Sequence, residues 1–165
     1  MIARPWFRSL SLLCLVTTFL SAGAAHCQFS DPAPAAGSAL SIPRAHWMQA
    51  EELNRILLTK AAKPIIVQVG ARMFFAQTHI AGAIFAGPGS QAAGLQLLEA
   101  KMAGVAKDQL IVLYCGCCPW ERCPNIAPAY QRLLQLGYTK VQVLYLANSF
   151  GEDWVNKGYV VEHGQ

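Results

Sequence analysis

An apolar run, Leu110-Ile111-Val112-Leu113-Tyr114, opens directly onto Cys115-Gly116-Cys117-Cys118-Pro119-Trp120-Glu121-Arg122-Cys123. The run is short, uncharged and rich in β-branched and aromatic residues, as a strand buried on both faces must be. From residue 126 to 136 the apolar positions follow a helical period. The cysteine-rich stretch is therefore expected to join the carboxyl end of a strand to the amino end of a helix. Open α/β sheets bind ligands at that edge, and a helix amino terminus there offers unpaired N–H groups and a positive dipole end. A thiol so placed has its thiolate favoured, and thiolate is the reactive form. Four of the six cysteines fall between positions 115 and 123, which marks this stretch as the candidate site.

One domain with one core fits a chain of 165 residues. With 54% hydrophobic and 13% charged residues, the chain is not of the disordered class. The formal charge of +4 falls to +2 once Arg4 and Arg8 are set aside, too little to argue for nucleic acid or an anionic membrane surface. Those two arginines precede an apolar run over 10–20 and the small residues Ala22, Gly23 and Ala24, the layout of an export signal with its cleavage site. The run is short for a transmembrane helix. A periplasmic or secreted protein, with no stable membrane insertion after signal removal, is expected ahead of a membrane-anchored one. Residues 1–24 are read as a signal peptide, 25–42, rich in Ala, Pro and Ser, as a linker, and 43–165 as the folded domain. Cleavage would leave Cys27, Cys115, Cys117, Cys118 and Cys123. An odd number in an oxidising compartment leaves at least one thiol free, in a mixed disulfide or metal-bound.

Along the domain, 45–60 has a helical pattern with Trp47, Leu53, Ile56 and Leu57 on one face. A strand follows over 65–69 and stops at Gly70. A short helix over 72–78 carries Phe74 and Phe75 towards the core, and a turn then enters a short strand ending at Phe85. A helix is expected over 91–103, and the helix from 126 has Asn125 as its amino cap, bonding the Ala127 N–H, with Pro128 in the first turn. A strand over 141–146 and a short helix over 150–156, with Trp154 in the core, complete the chain. Strands alternating with helices imply an α/β fold with a mostly parallel central sheet and helices on both faces.

In this order the chain resembles a single rhodanese-like domain, of the sulfurtransferase family. The resemblance rests on Ile65-Ile66-Val67-Gln68-Val69, on His79-Ile80-Ala81-Gly82-Ala83, on the apolar strand ending in Cys115, and on Leu136-Gly137-Tyr138, Trp154 and Gly158-Tyr159. It covers residues 43–161. Departures are specific. The family's usual Asp and Arg on the first strand are Gln68 and Gly70 here. The C-x-x-G-x-R loop has Cys118 for its glycine and Trp120 for its arginine, with Arg122 two positions late, and the segment is about five residues longer than is usual in the family.

The resemblance makes Cys115 the catalytic nucleophile, which accepts a sulfane sulfur from a small donor, becomes a persulfide and passes the sulfur to a thiol acceptor. Loop amides around the sulfur would favour its negative charge. Gly116, Trp120 and Arg122 are candidate substrate-binding residues. Trp120 would cap the pocket or cover the sheet edge, and Arg122 would bind an anionic donor or lie in solvent beside Glu121. Cys117, Cys118 and Cys123 are candidates for a redox or sulfur-relay role. A disulfide from Cys123 to Cys118 or Cys117 with Cys115 free is expected over a soft-metal site, and no cofactor is called for. His79 is read as structural. The rival readings are a thiol–disulfide redox protein and a metal-binding or catalytically silent module docking to another exported protein.

Overall fold

The computed structural model describes residues 38–59 and 62–164. The expected signal peptide, the linker as far as residue 37, and Cys27 lie outside the described residues. Five strands form one sheet in the order β1-β6-β5-β2-β4: β1 (Trp47–Gln49), β2 (Ile65–Gln68), β4 (Ile84–Phe85), β5 (Ile111–Tyr114) and β6 (Val141–Tyr145). Every pairing in it is parallel. A separate antiparallel ribbon pairs β3 (His79–Ile80) with β7 (Val161–Glu162). The parallel order requires a crossover between successive strands, and the helices supply it.

Strand β5 lies at the centre, with Val112 opposite Ile66 of β2 and Gln142 of β6. Its side chains alternate between two cores. Ile111 and Leu113 join Val67 and Val143 beneath α3 (Ala92–Met102) and α4 (Ile126–Gln135). Val112 and Tyr114 join Ile66 and Leu144 against α1 (Ala50–Leu58) and α5 (Phe150–Asp153). The pleat continues one residue further, so Cys115 falls on the α3/α4 side. A short helix, α2 (Arg72–Gln77), leads into β3. No helix among the described residues is long and apolar enough to cross a membrane.

Three expectations need correction. Residues 47–49 are an edge strand, parallel to β6, and the helix begins only at Ala50. Trp47 stacks on Tyr145 of β6 at 5.1 Å between centroids, and that cross-strand contact, invisible to a local periodicity, holds the segment extended. Phe75 is buried as expected, but Phe74 faces outward and is 39% exposed. The packed domain also starts before residue 43. Ala39 and Ile42 are buried in the core, and the Ile42 carbonyl accepts the Trp47 indole N–H at 3.0 Å.

Adjacent residues of α4 offer a check on this packing. Leu133 is fully buried and Leu134 is 42% exposed. Leu133→Ala is expected to lower the unfolding free energy by about 2–5 kcal/mol, and Leu134→Ala by under about 0.5 kcal/mol. Urea midpoints at unchanged slope measure both; equal effects would mean that α4 presents a different face to the sheet.

Candidate active site

Backbone pairing carries the strand register to the site. The Val69 N–H donates to the Tyr114 carbonyl at 2.8 Å, and the buried Gln68 side chain donates from Nε2 to the Cys115 carbonyl at 3.2 Å. Gln68 Oε1 is buried without a hydrogen-bond partner. Gly70 then passes so close that a Cβ there would lie 2.6 Å from the Cys115 carbonyl oxygen and 3.3 Å from its sulfur. Only glycine allows that approach. The position where the resemblance leads one to expect an arginine is thus the backbone floor under the thiol. Gly116 follows with φ +79°, a left-handed conformation that turns the chain back over Cys115.

The turn gathers the sulfurs. Cys115 Sγ lies 2.9 Å from Cys117 Sγ, and Cys117 Sγ lies 3.2 Å from Cys118 Sγ. The three sulfurs are all within 4.8 Å of one another, a group able to hold a metal ion. Cys123 is buried, and with Cys115, Gly116, Cys118, Trp120 and Ile126 it walls a small crevice beneath the loop. All four cysteines stand as free thiols, so the expected bond from Cys123 to Cys118 or Cys117 is not formed, and the sulfur 2.9 Å from Cys115 belongs to Cys117.

Asn125 does not cap α4 as expected; its side chain makes no capping bond. The buried carboxamide instead donates from Nδ2 to Cys115 Sγ at 3.2 Å and, more weakly, to Cys117 Sγ at 3.8 Å. Its Oδ1 accepts both the backbone N–H and the hydroxyl of Ser90, at 3.1 and 2.8 Å. Sequence reasoning found the residue but gave it the wrong partners, because local spacing suggests a cap and cannot report a loop 35 residues away.

The charge in this cluster has a definite distribution. The hydrogen bond from Cys115, above all, lowers Cys117 to about 6, with Cys118 and Asn125 adding to it against the opposing effect of burial. Cys123 is lowered to about 7, chiefly by Cys115 and further by the backbone N–H groups of Asn125 and Ile126 at the start of α4. The Cys115 thiol is pushed up, first by its hydrogen bond to Cys117, then by Cys118, Cys123 and burial. The proton left after the first ionisation therefore stays on Cys115 and points at the Cys117 thiolate. The thiols titrate as a group.

The remaining candidates are dispersed. Trp120 is buried, edge-on to Trp47 at 4.7 Å and to Tyr145 at 5.4 Å, so it covers the sheet edge and lines the crevice with its inner side. Arg122 is exposed, is not among the crevice walls and has no ion-pair partner among the described residues. His79 donates from Nδ1 to the Phe75 carbonyl at 2.8 Å, stacks on the Phe75 ring at 3.9 Å and approaches Glu162, which is a structural role. His46 lies on the Val141 carbonyl, and His163 on that of Gln77, both away from the cysteines.

The fold and site together define a parallel α/β domain that presents a thiol in the loop after its central strand. The signature of the rhodanese-like domain matches residues 49–155, and the chain belongs to that family. Solved structures agree on the fold. The crystal structure of the BH2092 protein from Bacillus halodurans is 22% identical, covering 72% of this chain and 77% of that one with a TM-score of 0.56. The crystal structure of the Alr3790 protein from Anabaena sp. is 21% identical over 71% of this chain and 92% of that one, with a TM-score of 0.55. The solution structure of the rhodanese-like domain of that Anabaena protein is 19% identical over 72% and 79%, with a TM-score of 0.52. No curated protein matches the chain.

In fully reduced protein, iodoacetamide should label Cys117 ahead of Cys115. The labelling rate should rise with pH through about 6, well below the ~8.5 of an ordinary thiol. Below that pH the thiol is protonated and the reaction slows. A midpoint near that of a free cysteine would show that the bond from Cys115 does not hold charge on Cys117.

Proposed function

We propose that this protein is an exported sulfurtransferase or persulfide carrier that moves sulfane sulfur through Cys115. The observation that carries the reading is the placement of Cys115 at the carboxyl end of the central strand, with an amide donor on its sulfur and a second thiol at 2.9 Å. The Cys117 thiolate stands ready to take the Cys115 proton as the bond to sulfur forms, the role of an adjacent base. The Cys115 sulfur attacks the sulfane sulfur of a small donor and gives its proton to Cys117 in the same step. A new S–S bond forms, the donor's bond to that sulfur breaks, and the rest of the donor leaves with the electron pair. A thiol acceptor then attacks the outer sulfur, and Cys115 departs as thiolate. Asn125 Nδ2 donates to the negative charge on sulfur at both ends of the cycle.

Export is part of this reading and rests on the arrangement of Arg4, Arg8, residues 10–20 and the small residues 22–24. The 2.9 Å approach of Cys117 also favours a second reading, thiol–disulfide exchange, in which the reactive pair is Cys115 with Cys117. An exported partner protein would serve either reading as acceptor or reductant.

Incubating reduced protein with a sulfane donor should add the mass of one sulfur atom. Cys115→Ser should abolish the adduct and Cys27→Ser should leave it. An adduct that survives Cys115→Ser would move the carrier elsewhere in the loop. Loss of one hydrogen bond to a charged atom in Asn125→Ala should slow adduct formation about ten- to hundredfold. Intact mass of the protein from its native compartment should correspond to a chain beginning near Ala25; a chain retaining Met1 would overturn the export proposal.

A further inference from the structure

The convergence of Cys115, Cys117 and Cys118 has a consequence separate from sulfur transfer. Three soft donors face one point, each within 4.8 Å of the others, and the set contains no histidine or carboxylate. Metal–thiolate bonds of about 2.3 Å in a trigonal arrangement would put the sulfurs about 4.0 Å apart. The 2.9 and 3.2 Å separations need to open by only about 1 Å, within the reach of side-chain rotation in a loop. Asn125 lies outside the three sulfurs and donates to two of them, the place of a residue that orients ligands and tempers their charge.

The surroundings select among soft metals. Zinc in a structural site takes four ligands, and with three protein ligands it keeps a water. On the inner side, against Cys115 and Cys118, the crevice is only about 10 Å³, and Trp120, Ile126, Leu144 and Leu146 make much of its wall apolar, while Cys117 and Cys118 are half-buried. That volume is at the lower limit for one water, and an apolar wall gives such a water few partners. Cys123 also lines the crevice, but it is not in the set of mutually close sulfurs. Three thiolate donors, with no nitrogen or oxygen ligand among them, and an apolar inner wall suit a soft monovalent ion. We propose that Cys115, Cys117 and Cys118 form a three-sulfur site for copper(I), with Asn125 supporting the sulfurs from outside the ligand set. Copper occupies the sulfur that would otherwise carry sulfane sulfur, so the two loads exclude each other on Cys115.

The test uses the full chain carrying Cys27→Ser, reduced and metal-free, titrated anaerobically with copper(I) against a chromophoric copper(I) chelator. One equivalent should bind, with ultraviolet thiolate-to-copper charge transfer and an X-ray absorption signal of three sulfurs. Cys118→Ser should weaken binding by more than the ten- to hundredfold lost with a neighbour outside the ligand set, and Cys123→Ser by less than about tenfold. Thermal unfolding of each variant shows that the domain is intact, and Cys117→Ser gives a second ligand deletion if Cys118→Ser fails to fold. Copper held as tightly after Cys118→Ser and Cys117→Ser would overturn the site. So would zinc bound in preference, with four sulfurs and an equal dependence on Cys123. The sulfane adduct on metal-free Cys118→Ser is scored separately: its presence keeps the sulfur-transfer reading whatever the copper result, and its absence there with copper bound to the parent leaves the copper site standing.

Discussion

Burial of β5 on both faces is the constraint on which the architecture depends. Each of its four side chains is at most 1% exposed, so no face of the strand can be given to water. Every backbone polar group in such a strand must find a partner in a neighbouring strand. Here β2 and β6 supply them in parallel register, and the parallel register in turn demands helices as crossovers on both sides. The same pleat fixes the direction of Cys115, so the orientation of the thiol follows from packing several residues away. Gln68 extends the arrangement past the last paired residue by holding the Cys115 carbonyl.

Beyond the strand, control passes to electrostatics without a cation. Arg122 is exposed and does not line the crevice, and the position on the first strand that resemblance assigned to an arginine is the bare backbone of Gly70. Negative charge in the loop is met by neutral donors: the Asn125 carboxamide, the Cys115 thiol, and the first N–H groups of α4, which serve Cys123. Among the described residues, no arginine or lysine lines the crevice beside Cys115. The crevice beside Cys115 keeps its shape because Trp120 is held by Trp47 and Tyr145.

The parts legible in the sequence were those decided by burial or by chain order. The run 110–114 is short and β-branched enough to read as a buried strand, and the place of Cys115 at its end followed. The fold class followed from the alternation of elements. Contacts between distant segments were not legible. Trp47, Met48 and Gln49 fit a helical face as well as an edge strand, and the stacking of Trp47 on Tyr145 accompanies the extended choice. Asn125 has the spacing of a cap, yet Ser90 and two sulfurs take its side chain. The cysteine cluster was visible as a cluster, but Cys123 was expected to pair with Cys118 or Cys117, whereas the turn at Gly116 brings Cys117 back beside Cys115.

The early start of the packed domain ties the cysteine loop to what precedes it. The turn Ala39–Ser41 rests on the turn Trp120–Arg122, and Ile42 is pinned by the Trp47 indole. The segment leading into the domain thus runs under the outer wall of the loop before entering the sheet. A pull on that segment, or a cut within it, acts on the seat of Trp120 and through it on the crevice beside the sulfurs. Residues 39–42 thus belong to the support of the loop that carries the sulfurs.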